Sequence, residues 1–165
     1  MQVTRAVDYG LRALVLMARQ PAGSRIFLHD LAQEADLPRN YLVKVLKSLA
    51  GSGIVRSHRG IKGGFSLARD PRQITLREIV EAIDGPVAVM HCLTGHRADG
   101  DCGNSGRCAA QAILAEVRDH ILRDLESHSL HALTAAQEDY RARTAPAEPG
   151  ATLSAVARSS EPAGM

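Results

Sequence analysis

Residues 37–68, LPRNYLVKVLKSLAGSGIVRSHRGIKGGFSLA, decide the fold. The first part predicts a helix from about Arg39 to Ser52, because its apolar residues recur at the i, i+3, i+4, i+7 spacing of a half-buried helix. These residues are Leu42, Val45, Leu46 and Leu49. The second part predicts two short strands, 54–58 and 65–68, joined by a glycine-rich loop that suits a hairpin. The stretch is therefore a helix followed by a small β-hairpin.

The flanking sequence supplies further helices. The apolar pattern after Thr4 predicts a first helix that ends before Pro21, and residues 30–35 fit a short second helix. Downstream, Thr75 and Glu78 have the spacing of a capping box, which predicts the start of another helix. Helix, turn, helix and hairpin, in this order, predict a mostly α fold with a small β-hairpin wing, a winged helix-turn-helix.

Charge along the chain points to a polyanionic partner. Residues 37–69 contain seven lysines and arginines and no acidic residue. Residues 1–85 carry 13 basic against 8 acidic residues, whereas residues 86–165 carry 7 against 10. Such a segment favours nucleic acid as partner. The alternatives are a solvated charged face and a winged helix that contacts protein.

In a winged helix, one helix enters the major groove and the hairpin lies along the backbone or the minor groove. The candidate DNA-binding residues are therefore Arg39, Asn40, Tyr41, Lys44, Lys47, Arg56, His58, Arg59 and Lys62. Asn40 can pair with adenine, and Arg39 or Lys44 can donate to guanine or phosphate. Arg59 and Lys62 suit phosphate or the minor groove.

The C-terminal part predicts a dimer. A long helix from about Cys108 to Ser127 has a wider apolar face than one small domain needs, which favours self-association. We therefore divide the chain into a winged helix-turn-helix domain, a cysteine-bearing loop, a dimerisation helix with a short following helix over 134–143, and a disordered tail. Their bounds are 1–85, 86–108, 109–143 and 144–165.

All three cysteines, Cys92, Cys102 and Cys108, lie within 17 consecutive residues. Thiolates are soft ligands that suit an iron–sulfur cluster or zinc. A zinc site with His91 or His96 is one alternative, although the spacing lacks a CxxC pair. A thiol redox switch and three thiols without a role are the others.

Composition and missing motifs narrow the function further. The 165 residues, 45% of them hydrophobic, are enough for one core with an appended arm. No apolar run approaches the roughly 20 residues of a membrane span and no signal-peptide pattern is present, so we expect a cytoplasmic protein. No phosphate-binding loop, nucleophile elbow or His/Glu metal motif is present, so we expect no enzyme.

Together, several motifs resemble the Rrf-type regulators, which include the IscR, NsrR and RirA types. They are TRAVDYGLRALVLMA at 4–18, the stretch 37–68, ITLREIVEAIDG at 74–85 and the cysteine cluster, and the resemblance extends to about residue 140. It implies winged-helix homodimers that bind palindromic operators in double-stranded DNA and repress, or sometimes activate, transcription.

The resemblance also implies that Cys92, Cys102 and Cys108 hold a [2Fe–2S] or [4Fe–4S] cluster that senses nitric oxide, redox state or iron and cluster status. One branch of the family uses a histidine where this chain has Gln111. Another takes an aspartate from the partner subunit, and Asp8 matches its motif. Asp8 fits an i, i+4 ion pair with Arg12 equally well. His91 and His96 are further candidates for the fourth ligand, and a cluster-free thiol redox switch is the alternative reading.

Overall fold

The computed structural model describes residues 4–60, 63–90, 93 and 108–144. The six helices in these residues are α1 (Arg5–Ala18), α2 (Leu28–Glu34), α3 (Arg39–Gly51), α4 (Leu76–Asp84), α5 (Ala109–Ser127) and α6 (Leu130–Thr144). Two strands, β1 (Val55–His58) and β2 (Gly64–Leu67), form an antiparallel hairpin. A 3-10 turn, Pro71–Gln73, precedes α4. The predicted class, mostly α with a small β-hairpin wing, is confirmed.

Helix α1 lies at the centre of the fold and contacts α2, α3, α4, α6 and β2. Its residues Ala13 and Leu14 are fully buried in the main core. The face that α3 turns toward this core is the predicted stripe of Leu42, Val45, Leu46 and Leu49, all of them buried. Since the stripe fixes which side of α3 is hidden, it also fixes which side faces solvent.

The wing is held to the helices by a third, single-residue pairing. Ile26 and Phe65 each donate a backbone hydrogen bond to the other's carbonyl at 2.9 Å. Gly64 stands beside this pairing at φ +143°, where a Cβ atom would lie 2.6 Å from the carbonyl oxygen of Ile26. A side chain at Gly64 would therefore push the hairpin away from the helical core.

The predicted capping box at the start of α4 is confirmed. The Glu78 amide donates to the Thr75 hydroxyl at 3.2 Å, and the Thr75 amide donates to the Glu78 carboxylate at 3.0 Å. At the other end of α4, Asp84 accepts the Thr4 hydroxyl at 2.6 Å. The helix that carries the buried residues Ile79 and Val80 is thus joined to the first turn of α1.

Helix α6 begins earlier than predicted, at Leu130 rather than at residue 134. The reason is long-range pairing. The Leu76 amide donates to the His128 carbonyl, and the Leu130 amide donates to the Ile74 carbonyl, each at 2.8 Å. Because Leu130 is also fully buried in the main core, the start of α6 is fixed against the winged-helix fold. The predicted tail lies outside the described residues apart from Thr144.

Among the described residues, no helix combines the length and the apolar character needed to cross a lipid bilayer.

Gly10 allows α1 to approach α3 and α4 closely. A Cβ atom there would collide with Ile83 Cδ1 and lie 3.3 Å from Val45 Cγ1. We expect Gly10→Val to lower the free energy of unfolding by about 1–3 kcal/mol, because extra methyl groups would overpack this contact. Gly51→Val is the matched control, since a Cβ at Gly51 meets no atom within 4 Å. Chemical denaturation measures both, and equal losses in the two variants would contradict this role of Gly10.

Candidate nucleic-acid interface

Helix α3 presents the predicted DNA-binding side chains to solvent. All five of them are exposed: Arg39, Asn40, Tyr41, Lys44 and Lys47. A residue that the sequence reasoning missed lies among them, because Val43 is 45% exposed. Asn40, Val43, Lys44 and Lys47 follow the i, i+3, i+4, i+7 spacing on the side opposite the buried stripe. We call these four residues the outer ridge of α3.

Tyr41 is held beside the outer ridge by contacts on both sides. Its ring meets that of Tyr9, on α1, edge to face, with the ring centroids 6.2 Å apart and the planes at 76°. The Lys44 Nζ lies 5.9 Å from the Tyr41 ring centroid, within the range of a cation–π interaction. The Tyr41 side chain, 58% exposed, is thus oriented by α1 while still open to a partner.

The wing adds a second basic surface. Arg56 and Arg59 are exposed, and His58 is half-buried at the end of β1. The His58 Nε2 and the Ser66 Oγ share a hydrogen bond of 2.9 Å across the hairpin. Lys62, the remaining predicted wing residue, lies outside the described residues.

The charges around His58 are all positive. Partial burial, followed by the charges of Arg25 and Arg56, lowers the pKa of His58 from its ordinary value of 6.5. Sequence reasoning missed Arg25 because it is far from the wing in sequence. Its position follows from its neighbour Ile26, which pairs with Phe65 of β2.

Most basic side chains of this surface are free of internal ion pairs. Among the described residues, no carboxylate lies within 4.0 Å of the charged groups of Arg39, Lys44, Lys47, Arg56 or Arg59. Arg69, at the end of the acid-free stretch, differs because it binds Glu78 at 2.9 Å. The unpaired charges of α3 and of the wing are suited to contacts with a phosphate backbone.

The candidate cluster ligands are only partly described. Cys108 is half-buried at the N-cap of α5, whereas Cys92, Cys102, His91 and His96 lie outside the described residues. Asp8 forms the predicted ion pair with Arg12 at 2.9 Å, with its side chain 49% exposed. In the part of the chain that the structure describes, no three His, Cys, Asp or Glu residues come close enough to hold a metal ion.

Within one chain, Asp8 and Cys108 belong to different ends of the structure. Val7, next to Asp8, lies in an apolar cluster against which Ile121, Leu122 and Leu125 of α5 pack. Cys108 precedes Ile121 by about 20 Å along the helix axis, from the rise of 1.5 Å per residue. The structure therefore does not bring these two candidate ligands together within one chain.

A buried-stripe helix with a basic outer ridge, followed by a basic hairpin, defines a winged-helix DNA-binding protein. The sequence model of the Rrf2 family, described as an iron-dependent transcriptional regulator, matches residues 3–136. The chain belongs to this family and is a DNA-binding transcriptional regulator.

Two relatives support this assignment. An HTH-type transcriptional regulator named rrf2-like, from Rhodobacter capsulatus, is 31% identical over 139 residues, which cover 81% of this chain and 93% of the relative. An HTH-type transcriptional regulator of Mycobacterium tuberculosis is 36% identical over 88 residues, 53% of this chain and 55% of that protein. These relatives are transcriptional regulators rather than enzymes.

Solved structures share the fold. IscR of T. potens superposes with a TM-score of 0.64 at 23% identity, covering 86% of this chain and 91% of that one. CymR of B. subtilis, the global cysteine regulator, gives a TM-score of 0.64 at 24% identity, covering 82% and 98%. The oxidized form of Staphylococcus aureus CymR gives a TM-score of 0.61 at 24% identity, covering 81% of this chain and 96% of that one.

We expect His58 to make DNA affinity dependent on pH. Its lowered pKa keeps the imidazole neutral in the free protein near pH 7, whereas a nearby phosphate favours the charged form. DNA binding would then be accompanied by proton uptake, so we expect affinity to rise as the pH falls through the neutral range, by at most about tenfold per pH unit for each proton taken up. Titrations of duplex DNA by fluorescence anisotropy at constant salt measure this rise.

We expect His58→Gln to remove the pH dependence and His131→Gln to retain it, since His131 is exposed on α6, away from the wing. If DNA affinity changed equally with pH in wild type and in His58→Gln, His58 would be excluded as the source of the pH dependence.

Proposed function

We propose that the chain acts in the cytoplasm as a homodimeric repressor whose affinity for a palindromic operator is controlled by an iron–sulfur cluster. Cys92, Cys102 and Cys108 would hold the cluster, with Asp8 of the partner subunit as the fourth ligand. The signal would be nitric oxide, redox state, or iron and cluster status. The observation that carries this proposal is the position of Cys108 at one end of α5, whose other end is fixed to the winged-helix fold.

Helix α5 supplies a surface for a second copy. None of its 19 residues is buried, and Ile113 and Val117 are 61% and 42% exposed. A row of aliphatic side chains along a helix favours a matching row on a symmetric copy. The resulting dimer would place two α3 helices on half-sites about 34 Å apart, one turn of DNA.

The surface that meets DNA is the outer ridge of α3 together with the wing. In this arrangement Asn40 reads a base edge, whereas Lys47, Arg56 and Arg59 bind phosphates. Tyr41, oriented by Tyr9, lies at the edge of the same surface. The absence of acidic residues from 37–69 supports this placement, because a carboxylate here would repel the DNA backbone.

The chemistry of the donor set fits a cluster. Three thiolates within 17 residues provide soft ligands, and Cys108 stands at the N-terminus of a long helix, a position that favours negatively charged groups. The family description as iron-dependent and the fold shared with IscR support the same assignment. When bound, such a cluster supplies a centre that reacts with nitric oxide and oxidants.

The geometry of Asp8 favours its use between subunits. Its side chain lines an open cleft of about 520 Å³, together with residues of α2 and α6. Since Cys108 of the same chain lies at the far end of α5, a cluster that uses both residues needs them from different chains. Such a ligand would link the cysteine loop of one protomer to α1 of the other.

A cluster-free thiol redox switch is the second candidate. It is favoured by the shared fold with CymR, for which an oxidized form has been solved, and by the partial exposure of Cys108. Two of the three cysteines would then lose two electrons and two protons to an external oxidant such as a peroxide and form a disulfide, which leaves the third as a thiol. Iron and acid-labile sulfide analysis of protein purified without oxygen separates the two candidates.

Replacing Cys102 tests the cluster. We expect Cys102→Ala to give a folded dimer without visible absorbance and without stoichiometric iron, because two thiolates no longer hold the cluster. Gln111→Ala is the control, since Gln111 occupies the position of the family's alternative histidine ligand, and this variant should keep iron and colour. Anaerobic absorption spectra and iron counting provide the measurement. A Cys102→Ala protein with unchanged colour and iron content would contradict the proposal.

Two variants distinguish ligation by Asp8 from its ion pair with Arg12. Asp8→Ala and Arg12→Ala each remove the same exposed ion pair, worth about 0.3–0.5 kcal/mol. We expect only Asp8→Ala to alter the absorption spectrum of the cluster, because only Asp8 is a ligand. If both variants changed the spectrum equally, the ion pair rather than ligation would account for the effect.

A further inference from the structure

Val43 is an aliphatic side chain in the middle of a polar ridge. It is 45% exposed and lies between Asn40 and Lys47 on the outer ridge of α3. The four residues buried on α3 lie on the opposite side of the helix. Val43 is not among the residues that form the main core or pack against it.

Stability of the fold does not account for a valine at this position. β-Branched residues have lower helix propensity than alanine, since their χ1 is restricted against the preceding turn. Within the described chain Val43 is only partly covered, so burial compensates little for this lower propensity. Its apolar surface is available to whatever the outer ridge contacts.

The neighbours of Val43 indicate the chemistry of that partner. On the outer ridge, these neighbours are Asn40, Lys44 and Lys47. Within the described residues, neither lysine is paired with a carboxylate. An apolar protein surface would leave these groups desolvated and unpaired. A polyanion that also presents an apolar group would pair with the lysines and pack against Val43.

The major groove of DNA presents one such group, the C5-methyl of thymine, and apolar side chains discriminate thymine by contact with it. We propose that Val43 determines specificity by packing against a thymine methyl in each half-site. This inference rests on the proposed placement of α3 in the major groove and names what one position of that helix reads there.

The position of Asn40 locates the thymine. Residues three apart on a helix have Cβ atoms about 5–6 Å apart, which corresponds to one or two base-pair steps of about 3.4 Å. If Asn40 pairs with adenine, Val43 contacts a thymine within about two base pairs of it. The half-site should therefore contain an adenine and a methyl-bearing thymine close together.

The test uses the full chain, purified without oxygen, and a library of duplexes with a randomised stretch of about 30 base pairs, long enough for two half-sites. Each thymine of the enriched sequence is then replaced in turn by deoxyuridine, which lacks only the C5-methyl. Wild type should bind the thymine duplex about fourfold more tightly per half-site at one position, the factor expected for burying about one methyl group.

Val43→Ala should bind both duplexes equally and keep its thermal stability, since alanine is the better helix former. Lys47→Ala is the control on the same ridge. It should weaken binding to both duplexes alike, leave their ratio unchanged, and reduce the salt dependence by about one phosphate contact.

The inference is overturned if wild type ignores the methyl at every thymine, or if Val43→Ala retains the discrimination. Failure of wild type to enrich any sequence would be a different result. It would overturn the placement of α3 in the major groove, and the role of Val43 with it.

Discussion

The position of the C-terminal end of α5 depends on two backbone hydrogen bonds, from Leu76 to the His128 carbonyl and from Leu130 to the Ile74 carbonyl. They join the chain before α4 to the turn between α5 and α6. The Arg77 guanidinium reinforces this junction with an ion pair of 3.2 Å to Glu126 of α5. A second ion pair of 3.2 Å, to Glu81 on its own helix, raises the pKa of Arg77 together with the Glu126 contact. Because the junction is fixed, the C-terminal end of α5 cannot move without the winged-helix fold.

One turn of α1 links the candidate sensing residue Asp8 to the proposed DNA-binding surface. Asp8 is the proposed ligand, Tyr9 orients Tyr41 of α3, and Gly10 lets α1 approach Val45 of α3. These three consecutive residues point to different neighbours because successive side chains are about 100° apart around a helix. A force applied to Asp8 by a partner subunit would act on the turn that positions α3.

Local patterns in the sequence were sufficient to predict α3, the wing and the capping box at Thr75, because each depends on residues within a few positions of one another. The pairing of Ile26 with Phe65 and the early start of α6 at Leu130 were missed, since both depend on contacts between distant segments. Val43 was missed for another reason. Charge and amide groups identify DNA-binding candidates in a sequence but do not select a valine, although the spacing from Asn40 places Val43 on the outer ridge.

The proposed dimer makes small movements of α5 effective. With 19 residues, α5 is about 28 Å long, so a tilt of a few degrees about the fixed junction displaces its Cys108 end by about 2 Å. If α5 is held at the axis of the proposed dimer, the same tilt moves the winged-helix domain and its α3 instead. Two-fold symmetry would apply the displacement of α3 to both copies, so the spacing of the two α3 helices would change by up to twice the displacement of one. Since half-sites have a fixed separation of about 34 Å, one setting of α5 can match DNA while the other cannot. A coupling between sites of about 1–3 kcal/mol, which is typical of allosteric proteins, would change DNA affinity about 5–150-fold.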